Sequence, residues 1–168
     1  GKYSHTTLPG LQFKIPLIDQ VYRIKVDKQF KREFGFRTLK AGVQTQYSSR
    51  NYNKESWMLT GDLNIADVRW IIQYKIKNAA DYLFQVRDVE NTIRDVSEST
   101  LRLIIGDRSF TEVLQTDRVA IADKAKIYMQ DILDDYQAGI AIKMVQLQSV
   151  LPPGPVADSY NEVIRAEQ

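Results

Sequence analysis

The sequence contains no cysteine and a single histidine in 168 residues. The first absence excludes a disulfide framework and thiolate metal sites, and the second excludes a multi-histidine metal centre. That one histidine, His5, lies in a polar stretch close to the N-terminus, where a Ser-His-Asp triad would have to be built on a fraying end. The glycine-rich turns that cradle phosphates, GxxxxGK[ST] and GxGxxG, are missing. So is any run of about 18 apolar residues of the kind that crosses a bilayer. Asp131, Asp134 and Asp135 cluster, but without the spaced oxygen ligands and central glycine of a calcium loop, and read as a solvated face. No pattern among the serines, lysines and carboxylates selects a Ser-Lys dyad or a glycosidic acid pair. The residues point away from catalysis, metal binding and cofactor chemistry, towards a domain that assembles with something.

What is present is the composition of an ordinary globular chain, 43% apolar and 26% charged. It predicts one domain with a sizeable core, alone or with a helical extension. The net charge of +2 conceals an uneven distribution. Residues 1–60 carry 11 Lys and Arg against 4 Asp and Glu, and the remainder carries 12 against 17. A basic part of this kind can face anionic lipid or nucleic acid, or pair with the acidic part of a neighbouring copy. The stretch TLPGLQFKIPLIDQV sets Leu8, Leu11, Phe13, Ile15, Leu17 and Ile18 among two prolines. If exposed, an apolar loop like this needs a partner: the protein's own core, another chain or a lipid surface. Gly1 in place of an initiator methionine, and SYNEVIRAEQ as a helix with no stop signal, predict a piece of a longer protein.

Along the chain, VYRIKVD at 21–27 alternates apolar and charged residues and predicts a half-buried strand, and QFKREFGFRT, with Phe30, Phe34 and Phe36 evenly spaced, predicts another. LKAGVQTQYSSRNYNKES reads as a long mobile loop. Its Tyr47, Arg50, Tyr52 and Lys54 form a mixture able to stack on nucleic acid, although a flexible hairpin tip with no nucleic-acid partner is the reading preferred. In DVRWIIQYKIK, Val68, Trp70, Ile72, Tyr74 and Ile76 share one face and Asp67, Arg69, Gln73 and Lys75 share the other with Ile71, which favours an antiparallel sheet covered on one side. NAADYLFQV predicts a short helix. After Asp88 as N-cap, Val89, Ile93, Val96, Thr100 and Leu103 predict an amphipathic helix ending near Gly106. Ser109 and Glu112 form a capping box. A helix is predicted from about 117 to 137, with Ile121, Ala125, Tyr128, Ile132 and Tyr136 on one face, Ala122, Met129 and Leu133 beside it, and Gly139 ending it. IAIKMVQLQSVL alternates imperfectly, so a bulge near Met144 or burial on both faces is expected. Pro152, Pro153 and Pro155 then stop the sheet and introduce a terminal helix.

Taken together, these segments resemble the SPFH (band 7) domain of the stomatin and prohibitin superfamily. The matching stretches are LPGLQFKIPLIDQV at 8–21, GFRT at 35–38, MLTGDLNI at 58–65, VRWIIQYKI at 68–76, YLFQVRD at 82–88, RDVSESTLRLIIGDR at 94–108, GIAIKMVQLQSVLPPGPV at 139–156 and NEVIRAEQ at 161–168. Each is common by itself; their order and spacing are specific. Leu63 stands where a second acidic residue is usual in the family, and Gly154 where PPEPV is more familiar.

The resemblance implies an α+β fold, a mainly antiparallel sheet with helices on one face. It implies an SPFH domain at 1–151, with a first strand and a transmembrane anchor upstream, and the start of a C-terminal coiled-coil helix at 152–168. The VQLQSVLPPGPV stretch leans towards the protease-associated branch. For that branch the implied function is a non-catalytic scaffold without cofactor on the periplasmic side of the bacterial inner membrane. Such a subunit assembles in homo- and hetero-oligomers with an HflC-like SPFH subunit around an FtsH-type AAA protease and regulates its access to membrane substrates. Membrane lipids are the other implied partner, with Leu11, Phe13, Lys14, Ile15, Leu17 and Ile18 facing the bilayer, unless some of these cap the end of the sheet instead. A stomatin-like organiser of a lipid patch with no protease partner is the alternative within the superfamily, and a hydrolase with an unrecognised Ser-Lys site the alternative outside it.

Overall fold

The strand with the cleanest alternation organises the molecule. β5, Ile65–Ile76, buries Val68, Trp70, Ile72, Tyr74 and Ile76 on one face and leaves Arg69, Gln73 and Lys75 half-exposed on the other. The computed structural model describes residues 3–153 apart from 8, 9, 12, 16, 42–44, 49, 51 and 117. In it β6, Ile140–Leu151, pairs along one edge of β5. The other edge is shared end to end by β1, Phe30–Phe34, opposite Tyr74 to Trp70, and β4, Trp57–Leu59, opposite Asp67 to Ile65. All these pairings are antiparallel, as the one-sided burial predicts.

The imperfect alternation of β6 has the expected cause, doubled. Its register against β5 slips by one residue at Lys143 and again at Gln148. Each bulge resets the phase, so Ile140, Ile142, Val145, Leu147 and Val150 all stand on the core face, opposite Ile76, Tyr74, Ile72, Trp70 and Val68. The outward backbone at the start of β6 is satisfied by a side chain: Gln130 accepts from the Ile142 N–H and donates to the Ile140 carbonyl.

Helices cover that core face. α2, Ala79–Phe84, starts at Asn78, whose Oδ1 accepts from the N–H groups of Ala80 and Asp81. α3, Val89–Gly106, starts at Asp88 as predicted, its carboxylate accepting from the Asn91 N–H at 3.1 Å. The buried stripe of α3 is centred on Ser97, which accepts the Trp70 indole N–H at 2.8 Å. Because Ser97 is polar, apolar spacing overlooks it. Leu103, predicted on the stripe, lies about 120° round the helix from Ser97 and is exposed, while Leu101, Ile104 and Ile105 are buried. The Ser109 and Glu112 box forms reciprocally and leads into a π-helical turn, Glu112–Thr116, before α4, Arg118–Asp135.

α4 buries Ile121, Ala122, Ala125, Met129 and Leu133, but Tyr128 and Tyr136 are exposed, contrary to the apolar face assigned to them. Nor does Gly139 end the helix. Gln137 takes the left-handed conformation at φ 50°, and the N–H groups of Gln137 and Ala138 return to the carbonyls of Asp134 and Leu133. Gly139, at φ 66°, serves the next contact: its carbonyl accepts from the N–H groups of Lys77 and Asn78, and a Cβ there would collide with the Asn78 carbonyl oxygen and the Tyr82 nitrogen.

The basic N-terminal part departs most from expectation. Residues 21–27 form no strand: Val21, Tyr22 and Val26 are exposed like the charged residues between them, and Ile24 alone of the four apolar side chains packs on the core. Alternation creates a strand only where a neighbour supplies hydrogen bonds, and after a turn at Lys25–Lys28 the edge of β5 is occupied by β1. QFKREFGFRT is two strands, broken at Gly35, where φ is 77° and the Ser56 side chain leaves no room for a Cβ. The second piece, β2, Thr38–Lys40, pairs with β3, Gln46–Tyr47, in a small separate sheet. The stretch predicted as a mobile loop thus contains β3 and one helical turn, α1, Asn53–Ser56. Pro152 and Pro153 follow β6 without strand structure, and the terminal helix lies outside the described residues.

Candidate functional site

The arm that precedes β1 carries the residues singled out from sequence. Leu11, Phe13, Leu17 and Ile18 are 89%, 97%, 107% and 78% exposed, and Ile15 and Lys14 are exposed beside them. None of the five apolar side chains caps the sheet. Their presentation is organised by Asp19, whose carboxylate accepts from the Ile15 N–H at 2.8 Å while the N–H groups of Ile18 and Asp19 fold back to the Ile15 carbonyl. This tight turn, with Leu17 at φ 71°, puts Leu17 and Ile18 at its tip. The arm is tied to the body by rings: Phe84 at the end of α2 lies 5.8 Å from Tyr3 and 6.0 Å from Tyr22. His5 is also in the arm, exposed, its Nδ1 hydrogen-bonded to the adjacent Ser4 hydroxyl; no described carboxylate engages the ring.

A second constellation, which sequence reading missed, gathers charges from α1, the link between β1 and β2, and α3. Glu55 of α1 accepts from Arg37 through both oxygens at 2.8 and 3.1 Å, from Arg94 of α3 at 2.6 Å and from the Gly35 N–H at 3.1 Å. Burial alone would raise the Glu55 carboxyl; the hydrogen bonds from Arg37, Gly35 and Arg94 outweigh it and hold the group below the usual glutamate range. One turn of α3 along, Glu98 is pushed up by burial and by the nearby Glu55 charge, with Arg102 only partly compensating. No local pattern could have announced these contacts, because the partners lie 18 and 39 residues apart.

Two concavities adjoin this network. One of about 240 Å³ is lined by Lys31, Arg32, Glu33, Arg37, Glu90 and Arg94, four cations against two carboxylates, with Arg32 paired to Glu90 and Glu33 held by Lys31 and Thr38. The other, about 510 Å³, lies between the β2–β3 lobe and the outer face of β5 and β6, with Phe36, Tyr47, Arg50, Tyr52, Arg69 and Ser149 among its walls. Of the residues suited to stacking, Tyr47 packs edge-on against Phe36 and Tyr52 lies under the Arg37 guanidinium. Among the described residues no group of three or more His, Cys, Asp or Glu side chains is placed to hold a metal ion. None of the described helices is long and apolar enough to cross a membrane.

Comparison with known proteins agrees on one family. The profile of the SPFH domain / Band 7 family matches residues 1–168. Protein HflK of Treponema pallidum is 42% identical over 165 residues, covering 97% of this chain and 50% of the relative. Protein HflK of Borreliella burgdorferi is 35% identical over 164 residues, covering 97% and 52%. The protein named modulator of FtsH protease HflK in Escherichia coli is 26% identical over 168 residues, covering 100% and 35%. The chain spans about half the length of the first two relatives and about a third of the last.

Proposed function

The chain belongs to the SPFH/band 7 family, and from that premise we propose that it is the globular domain of a non-catalytic, membrane-associated scaffold subunit. The subunit assembles with an HflC-like SPFH subunit around an FtsH-type AAA protease and limits which membrane substrates reach it, by steric and lateral confinement without bond chemistry. The arm carries the reading: four apolar side chains at least 78% exposed on a domain that otherwise has a well-formed core. Leu11, Phe13, Ile15, Leu17 and Ile18 face the bilayer, and Lys14 reaches for headgroups, worth about 1 kcal/mol near an anionic surface. The name of the Escherichia coli relative, modulator of FtsH protease HflK, supports the protease partner.

On this reading the domain is residues 1–151, on the periplasmic side of a bacterial inner membrane, with a strand and anchor upstream and a coiled-coil helix beginning at 152–168. The basic N-terminal part and the more acidic remainder add a head-to-tail attraction between neighbouring subunits.

The test is purification of the full-length protein from its native membrane in mild detergent, with mass spectrometry of what accompanies it. An FtsH-type protease together with a second SPFH subunit is the expected result. SPFH subunits alone, from a membrane shown to contain the protease, would replace the scaffold by an organiser of lipid patches.

A further inference from the structure

An apolar patch separate from the arm lies on the outer face of the sheet, opposite to the face that α3 and α4 cover. Trp57, Leu59, Ile65 and Leu151 are 36%, 54%, 45% and 49% exposed there. The register makes them neighbours: Leu59 stands opposite Ile65, and Trp57 and Leu151 flank Asp67 from either side. Met58, Ala66 and Val150, next to them in the chain, are buried on the core face, so the four point outwards together. The one charge set between Trp57 and Leu151, Asp67, is held by Arg69 at 2.9 Å. Strand spacing and rise make the patch roughly 10 by 7 Å. It occupies the start of β5, whereas the arm is tied to α2, which follows the other end of that strand. The patch is not a continuation of the arm.

The chain itself supplies an occupant. β6 delivers it to the patch at Leu151, and Pro153, two residues past the strand, is buried, so the chain has not yet left the body. Between Pro153 and Pro155, Gly154 has neither ring nor Cβ and is the point at which the direction can reverse. Beyond it Val156, Tyr160, Val163 and Ile164 recur at helical spacing on one face, with Asp158, Asn161 and Arg165 on the other. A helix from Val156 to Ile164 is about 12 Å long, which matches the patch. Residues 152–155 span at most about 14 Å, and so short a tether gives this segment an effective concentration that a segment of another copy does not have.

We propose that residues 156–164 form an amphipathic helix that docks in cis on Trp57, Leu59, Ile65 and Leu151. The inference goes beyond the scaffold reading and takes from it only the helix that begins at 152–168. The root of that helix is fastened to its own domain, which fixes the direction in which the chain leaves the body.

With no cysteine in the sequence, introduced pairs report single contacts. In the 168-residue chain Leu59→Cys is combined with Tyr160→Cys, Val163→Cys or Ile164→Cys, or with Asp158→Cys, Asn161→Cys or Arg165→Cys, and each form is oxidised at low protein concentration. A disulfide closes only where the Cα atoms come within about 7 Å, so intramolecular crosslinks should form in the first set and be lost in the second. Equal crosslinking in both sets marks an unstructured tail, and none in either leaves the patch bare; each overturns the inference. Crosslinks that join two chains put another copy's segment on the patch and overturn docking in cis. Co-purification of the protease, which decides the scaffold reading, is independent of all these outcomes. Trp57 gives a readout without cysteines, against a background of buried Trp70. Its quenching by iodide should increase with Val163→Asp and Ile164→Asp, since loss of either buried apolar side chain shifts docking by at least about tenfold; unchanged quenching counts against the contact.

Discussion

Two glutamates within one network behave in opposite ways. Glu55 has its folded-state carboxyl depressed, so its stabilisation is present above the unfolded value and is lost as pH falls through the folded one. Glu98 is raised, so the cost of its charge builds up as pH rises past the unfolded value and is complete above the folded one. Glu55→Gln should therefore cost about 2 kcal/mol at pH 7 and remove part of the loss of stability on acidification from neutral pH into the carboxylate range. Glu98→Gln should be neutral or stabilising at pH 7. Thermal melts of both variants across that range check the pair, and equal losses would show that the network does not discriminate them. Leu63 is a separate case. It occupies the β4–β5 turn at φ 64°, 78% exposed, in a conformation that costs a leucine more than an asparagine. Leu63→Asn should raise stability by about 0.5–1 kcal/mol, read as a higher midpoint in urea.

At the scale of elements, the clearest test is the joint between α2 and β6. Gly139→Ala should cost about 2 kcal/mol or more, from the left-handed backbone and the clash with Asn78 and Tyr82, and hydrogen exchange should show α2 opening ahead of β5. Which elements were legible in the sequence follows from what holds them. β5 and α3 were legible because each buries a face against several neighbours at a regular period, and Asp88 and the Ser109–Glu112 box announced starts that depend only on local hydrogen bonds. Residues 21–27 have the period of a strand without a pairing partner among the described residues, so pattern outran structure. The end of α4 was misread because a glycine two residues further on looked like the stop, whereas Gln137 accepts the left-handed conformation and Gly139 is kept for close packing. Of the candidate site, the arm residues were legible by their apolar character, while the rings that tie them down were not. Phe84 is joined to Tyr3 and Tyr22 only by the fold.

At the scale of the whole molecule, the tip of the arm, unlike Ile24 further along it, makes no contribution to the core, which makes the membrane reading separable from stability. Phe13 and Leu17 give nothing to the core at 97% and 107% exposure. Phe13→Ser with Leu17→Ser should leave the melting temperature within experimental error. It should weaken binding to anionic vesicles by at least about tenfold, since burying either side chain is worth about 1.5–3 kcal/mol; unchanged binding in co-sedimentation would count against the arm. The remaining binding should fall with added salt, as expected for Lys14, Arg23 and Lys25 acting through a screened field. The same irregularity that keeps one face of β6 apolar has another effect. A strand of 12 residues with one side unpaired among the described residues would template pairing with another copy. Broken at Lys143 and Gln148 and plugged beside Gln130, that side offers no regular run longer than Met144–Leu147. A chain crowded among its own kind is thereby protected from growing into a fibre.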